Sequence, residues 1–312
     1  MQRTLSTNEF YFTSADGAAR VYVKEWLPKE EPCAILLVAH GMAEHINRYD
    51  EFASFLADYG ILVVGPDHLG HGKTVRNFDE LGFFAEENGW QLLVDNLHIL
   101  QTMEKEMHPT VPIFLFGQSM GSFLARTYMM DYGDDLAGVI LSGTGAVLPP
   151  VVHTAQAIAA AERKKFGMMH RSATLDRMGF GSYNKPFAPN RTKFDWLTRD
   201  DAAVDAYCAD PYCGFTFTVA AFQDLFGGVQ RVQNRRNLAR VLPTLPILVF
   251  SGAEDPVGGN GRGVQKVVHE LQDAGLKKVT AKLYAGGRHE MLNELNRGQV
   301  YSDVLTWIEN RL

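Results

Sequence analysis

The stretch Gly117-Gln118-Ser119-Met120-Gly121 constrains this chain more than any other, because it joins an apolar run directly to a helical one. Ile113-Phe114-Leu115-Phe116 has no polar position, as expected for a central strand covered on both faces of a parallel sheet. Across residues 122–132, Phe123, Leu124, Thr127, Tyr128 and Met130 recur at helical spacing, and Gly133 supplies a stop. A strand that becomes a helix within so few residues forces its middle residue into a strained turn. A side chain at either flank of that turn would collide with neighbouring backbone, and glycine at 117 and 121 removes the collision. Ser119 is then held out at the carboxyl end of the sheet, with a helix amino terminus behind it to favour developing negative charge. The pentapeptide also occurs as a plain Gly-rich turn. Here strand and helix flank it, and Ser119 reads as a nucleophile.

The rest of the chain fits around that turn. Residues 10–14 and 21–26 alternate about Ala15-Asp16-Gly17 and predict an opening β-hairpin at an antiparallel sheet edge. Residues 34–39 form an apolar strand that ends in His40-Gly41-Met42-Ala43-Glu44-His45, and a helix over 49–59 closes at Gly60. Residues 61–64 form a further buried strand and lead into Pro66-Asp67-His68-Leu69-Gly70-His71-Gly72-Lys73-Thr74. A long helix carrying Trp90, Leu93, Val94, Leu97, Leu100 and Met103 precedes the Ser119 strand, and residues 138–142 form the strand after its helix. This alternation predicts an α/β fold with a mostly parallel central sheet and helices on both faces, its active site outside the carboxyl ends of the strands. Residues 148–242 contain no convincing buried strand, and Phe215, Val219, Phe222 and Phe226 recur at helical spacing. They read as a mostly helical cap roofing the site, with most of its aromatics forming its own core and a minority facing the pocket. Residues 1–147 and 243–312 are then the core domain. Its second part has a strand over 247–250, a helix through 264–271, a last strand over 281–284 and a closing helix over 300–308.

A serine hydroxyl needs a base, usually a histidine oriented by a carboxylate, and on this architecture the order along the chain is serine, acid, histidine. Two histidines follow the cap. His269 falls inside a helix, whereas His289 falls in Ala285-Gly286-Gly287-Arg288-His289-Glu290, a loop just past the last strand, and is the expected base. Glu254 and Asp255 both lie in the loop after the preceding strand. Asp255, followed by Pro256, is the expected acid, because a short carboxylate on a fixed turn has little freedom to lose; Glu254 is the alternative. The oxyanion hole is expected from the backbone N–H of Met120 and that of Met42.

Together these residues resemble the serine-hydrolase branch of the α/β-hydrolase superfamily, and within it the monoacylglycerol lipase and lysophospholipase-like family. The resemblance rests on His40-Gly41-Met42-Ala43-Glu44-His45 with Arg48-Tyr49, on Asp67-His68-Leu69-Gly70-His71-Gly72, and on the elbow at Ser119; Asp255 and His289 fall where the family has its acid and base. In the cap, Trp196-Leu197-Thr198-Arg199-Asp200 and Asp210-Pro211 are similar to bacterial members, and the remainder departs freely. The resemblance implies hydrolysis of carboxylic esters with medium or long acyl chains, through an acyl-enzyme and with no cofactor. It also implies a cap able to touch membranes or micelles transiently. His45, His68 and His71 are expected to hold loops near the pocket.

The remaining features narrow the alternatives. The chain has 312 residues and a net charge of -6 with the two signs interspersed, which leaves no electrostatic footprint for nucleic acid. Arg163-Lys164-Lys165 reads as a solvated helix face. The N-terminal residues 1–9 lack the apolar core of a signal peptide and no segment suits a bilayer, so a cytoplasmic protein is the expectation. Cys33, Cys208 and Cys213 fit no zinc spacing and are expected as buried or semi-buried free thiols. Gly70-His71-Gly72-Lys73-Thr74 is not a P-loop, because position 67 is Asp rather than Gly. No dinucleotide fingerprint and no H-E-x-x-H metal helix occurs. Rival readings on the same triad are a thioesterase, a small-ester carboxylesterase and a proline-type aminopeptidase. The last needs a cap carboxylate for a substrate amine, for which Asp195, Asp200, Asp201 and Asp205 are candidates. A hydrolase fold kept as a small-molecule receptor is the non-enzymatic reading.

Overall fold

The computed structural model describes residues 6–312; the first five residues of the N-terminal segment lie outside it. The opening hairpin pairs β1 (Ser6–Thr13) with β2 (Arg20–Leu27). Next come β3 (Ala34–Ala39), α1 (Asp50–Asp58), β4 (Ile61–Pro66), α2 (Gly89–Met107), β5 (Ile113–Gln118), α3 (Met120–Asp131) and β6 (Leu136–Ser142). Between β6 and the next strand lie α4 (Pro149–Phe166), α5 (Ala173–Phe180), α6 (Asp201–Ala209), α7 (Val219–Val232) and the single turn α8 (Arg235–Leu238). The chain closes with β7 (Ile247–Gly252), α9 (Arg262–Asp273), β8 (Val279–Tyr284) and α10 (Arg297–Glu309).

The eight strands form one sheet in the order β1-β2-β4-β3-β5-β6-β7-β8. The hairpin is antiparallel and forms one edge, while β3 to β8 run parallel, as the alternation of strand and helix requires. Every residue of β3, β4, β5 and β7 is buried, which explains why these strands read as unbroken apolar runs rather than alternating ones. Two apolar layers sandwich the sheet. On one face, Leu93, Leu97 and Leu100 of α2 and Leu124 and Tyr128 of α3 pack beneath Leu37 and Leu115. On the other, Phe52 and Leu56 of α1 and Val304 and Ile308 of α10 pack against Phe114, Phe116 and Phe250.

The segment between β6 and β7 is helical, and its one strand-like contact among the described residues is an isolated bridge between Arg171 and Thr218. Phe215 does not belong to the helix that its spacing suggested. That helix starts at Val219, where the Thr218 hydroxyl accepts a hydrogen bond from the Ala221 amide, and Phe215 precedes it in an irregular stretch. The cysteine expectation also needs correcting. Cys213 is half-buried, but Cys33 and Cys208 are exposed. Cys33 sits just before β3 with its sulfur near the Gly60 carbonyl at 3.3 Å, and Cys208 faces solvent from α6.

Candidate active site

The turn between β5 and α3 has the geometry that its two glycines demand. Ser119 adopts φ 51° and ψ -115°, a conformation that costs a non-glycine residue roughly 1–3 kcal/mol and persists only where the surroundings enforce it. Here the Ser119 amide donates to the Ser142 carbonyl at 2.9 Å, and the Ser119 carbonyl accepts from the Ser122 hydroxyl at 2.6 Å. A methyl group at Gly117 would strike the Gly121 carbonyl, and one at Gly121 would strike the Ala39 carbonyl. Elbow, strand and loop thus touch backbone to backbone.

His289 follows β8 and lies against Asp255, which follows β7. Nδ1 of His289 donates to Oδ1 of Asp255 at 3.0 Å, and both side chains are almost wholly buried. Asp255 also accepts from the Ser251 hydroxyl at 2.6 Å and from the Val257 amide at 2.9 Å, so its orientation is fixed by three donors. Burial works to raise the Asp255 pKa, but the facing imidazole and these hydrogen bonds outweigh it and hold the carboxyl below its ordinary range. Burial likewise works to lower the His289 pKa, and the Asp255 carboxylate outweighs it, leaving the imidazole above its usual value. Glu254 is exposed and its amide is spent on the Gly287 carbonyl, while His269 lies on α9, at a distance in the chain from every strand end. The structure therefore brings Asp255 and His289 together and leaves both alternatives outside.

Ser119 and His289 line a common cavity of about 520 Å³ together with Met42. Among the described residues the Ser119 hydroxyl makes no hydrogen bond, and the amides of Met42 and Met120 are engaged by no other group of the chain. The loop around Met42 is held from several sides. The Ala43 amide donates to Nε2 of His71 at 3.3 Å, and the Ala43 carbonyl accepts from the Tyr207 hydroxyl at 2.9 Å and from the Gly214 amide at 3.0 Å. Burial pushes the pKa of His71 down to about 4 and that of His68 to about 3, and drives His40 well below its ordinary value. All three imidazoles are consequently neutral: those of His40 and His71 are hydrogen-bonded to the surrounding loops, and that of His68 packs against both rings. His45 is engaged with Asp210 at 2.8 Å.

Three features of the site lie beyond the reach of sequence pattern. Arg48 bridges Glu44, at 2.6 Å, and Glu290, through two bonds, tying the Met42 loop to the His289 loop. The resemblance included Glu44, Arg48 and Tyr49, but nothing in sequence spacing pairs Arg48 with Glu290. Trp196 packs its ring on His289 with centroids 5.0 Å apart. Its segment is anchored by Glu294, a fully buried carboxylate that accepts from the Arg199 and Arg288 amides and from the Arg199 guanidinium. The third is Asp176 of α5, which lines the cavity.

The four carboxylates weighed as amine holders, which read more readily as decoration of exposed helix faces, are all engaged elsewhere. Asp195 accepts from the Arg191 and Thr192 amides, Asp200 caps α6 and pairs with Arg297, and Asp201 and Asp205 pair with Arg191. None of the four lines the cavity. His45, Asp210 and Cys213 gather three potential metal donors within 4.8 Å of one another. Burial raises the Cys213 thiol pKa, holding it protonated, and the His45–Asp210 contact accounts for the other two. A larger cleft of about 1070 Å³ lies between the opening hairpin and residues 69–92, away from Ser119, Asp255 and His289.

The Hydrolase_4 family, described as "Serine aminopeptidase, S33", matches residues 30–296. The chain belongs to this family. A monoacylglycerol lipase of Mycolicibacterium smegmatis is 27% identical over 98% of this chain and 99% of its own length, and a monoglyceride lipase of Rattus norvegicus is 28% identical over 97% of this chain and 90% of its own. Among solved structures, a thermostable carboxyl esterase from Bacillus coagulans in complex with glycerol superposes with a TM-score of 0.91 at 27% identity, covering 98% of this chain and 99% of the esterase. This hydrolase is thus a serine ester hydrolase on the α/β-hydrolase fold, of the monoacylglycerol lipase type. No helix among the described residues is long and apolar enough to cross a membrane.

Proposed function

We propose that the chain hydrolyses carboxylic esters of medium or long acyl chains, glycerol monoesters foremost, with Ser119 as nucleophile, His289 as base and Asp255 as the acid that orients it. The observation that carries this reading is the buried Asp255–His289 pair, whose imidazole lines the cavity that Ser119 also lines. Ser119 Oγ attacks the ester carbonyl while Nε2 of His289 takes its proton, and the carbonyl oxygen becomes an oxyanion held by the free amides of Met42 and Met120. Collapse expels the alcohol, which leaves with the proton from His289, and an acyl-enzyme remains. Water then attacks with His289 as base again, releasing the fatty acid and restoring Ser119. Asp255 holds Nδ1–H throughout, which keeps Nε2 free to accept.

Residues 148–242 act as the cap over a core of residues 1–147 and 243–312. Phe180, Phe194, Trp196 and Phe215 supply an apolar lining to the cavity, suited to an acyl chain. Exposed Leu148, Val151, Phe166 and Met169 on and beside α4 give the cap an apolar surface that would enter a micelle or membrane. The reading is tested by a hydrolysis profile on glycerol monoesters, lysophospholipids and p-nitrophenyl esters of increasing chain length, with Ser119→Ala alongside. Activity peaking on medium or long glycerol monoesters and absent from the variant is expected. Activity confined to acetate and butyrate esters would move the chain to the small-ester carboxylesterases.

A further inference from the structure

Two charged side chains of the cap line the active-site cavity, Asp176 and Lys193, and no hydrogen bond or ion pair within the cap consumes either. Asp176, half-buried on α5, receives no side-chain hydrogen bond from any described residue, and Lys193 stands at the rim of the same cavity. The polar neighbours on that wall are differently placed. Asn184 donates to the Thr192 carbonyl at 2.7 Å and accepts from the Trp196 amide at 2.9 Å, and Asn190 donates to the Asn184 carbonyl at 2.8 Å. They build the cap; Asp176 and Lys193 are left for a ligand.

A half-buried carboxylate that takes no donor from the chain keeps its acceptor capacity for a ligand in the cavity it lines. Burial pushes the Asp176 pKa upward, and the nearby Lys193 ammonium is the one group that opposes this. The two charges thus sense each other, although they form no ion pair at contact distance. Their opposite signs restrict what the alcohol part of an ester can be. An ammonium drawn to Asp176 meets repulsion from Lys193, and a phosphate drawn to Lys193 meets repulsion from Asp176. Neighbouring hydroxyls satisfy both, since each can donate to a carboxylate and accept from an ammonium.

We propose that Asp176 and Lys193 are specificity-determining residues that recognise the free hydroxyls of a neutral vicinal-diol alcohol portion, selecting glycerol monoesters over simple alkyl esters and over lysophospholipids. The inference rests on the ester-hydrolase reading of Ser119. It places selection for the alcohol in the cap, apart from the reacting atoms.

The test compares a glycerol monoester with the methyl ester of the same fatty acid, which offers no hydroxyl, in the full-length protein. Asp176→Ala is expected to raise KM for the glycerol monoester by about tenfold, the loss of one or two hydrogen bonds to a charged group, with the methyl ester changed by no more than about twofold. Asp176→Asn, which keeps an acceptor, should recover part of the difference, and Lys193→Met should show a smaller loss of the same kind. Equal losses on both esters would overturn the proposal, as would no change on either. So would wild-type protein that prefers lysophosphatidylcholine, or an aminoacyl substrate, to the glycerol monoester. Failure of the underlying reading has a different signature: Ser119→Ala would go on turning over the methyl ester, whatever the ratio between the two esters.

Discussion

Arg48 and Glu290 stand 242 positions apart and meet through two bonds, at 2.7 Å and 2.6 Å, immediately beside His289. The same guanidinium reaches Glu44, whose carboxylate also accepts from the Gly41 amide and, at 2.9 Å, from the Tyr49 hydroxyl. One buried cation therefore fixes the loop that offers the Met42 amide relative to the loop that offers His289. Burial alone would lower the Arg48 pKa, but Glu290 and Glu44 outweigh it and hold the guanidinium charged.

Removing Arg48 would leave two buried carboxylates without a countercharge. Arg48→Ala is expected to cost about 3–5 kcal/mol of stability, as breaking a buried pair from one side generally does, and to reduce kcat on every ester. Urea unfolding and steady-state kinetics on the same preparation measure both. A change below about 1 kcal/mol would mean that the cluster contributes as little as an exposed pair.

The pH profile follows from His289. As a base it works only when neutral, and the Asp255 carboxylate holds its pKa above the usual 6.5 despite burial. Activity should accordingly fall as pH drops through a midpoint above that value. In Asp255→Asn the opposing carboxylate is gone and burial dominates, so the midpoint should move down while the rate falls by roughly 10⁴. Glu254→Gln should leave both unchanged, because its side chain lies outside the Asp255–His289 pair and the cavity. A profile of kcat/KM against pH for the three proteins decides the matter.

Much of the fold could be read from the chain because its central strands are buried on both faces and its helices are amphipathic, so pattern and structure share one cause. The positions of Ser119 and His289 at strand ends were legible for a related reason: each lies in a Gly-rich loop directly after a strand. Choosing Asp255 over Glu254 drew on turn rigidity, and burial divides the two in that sense. Arg48 with Glu290, and Trp196 with His289, join segments far apart in sequence, and no local pattern encodes such pairs. Phe215 misled because aromatic spacing at a helix start does not distinguish the last residue of a loop from the first of a helix. The exposed Cys33 and Cys208 contradict a general preference of free cysteine for burial, a weak guide for a residue at a turn or on an outer helix face.

Tyr207 links the cap to the oxyanion loop through one hydroxyl, which donates to the Ala43 carbonyl at 2.9 Å and accepts from the Gly214 amide at 3.1 Å. Ala43 has a positive φ of 54° and needs such restraint. Tyr207→Phe keeps the ring and deletes both bonds, so stability should fall by about 1–2 kcal/mol. If the hydroxyl positions the Met42 amide, kcat falls with KM nearly unchanged. An effect on KM alone would instead assign the hydroxyl to substrate binding in the cavity that Tyr207 lines.

Far from the site, Glu104 of α2 is buried against Glu25 of β2. Burial, reinforced by Glu25, raises the Glu104 pKa from 4.5 to about 8, so the folded state holds a proton that the unfolded chain gives up. With the folded pKa above the unfolded one, the stabilisation is fully present below the unfolded value and is lost as pH rises toward the folded one. Wild-type Tm should therefore drop relative to Glu104→Gln between about pH 5 and about pH 8, because the amide has no proton to lose. For a chain of this size each kcal/mol shifts Tm by about 2–4 °C, so the two melting curves should separate measurably across that window. Parallel Tm profiles for the two proteins would mean that Glu104 ionises in the folded state as freely as it does in the unfolded chain.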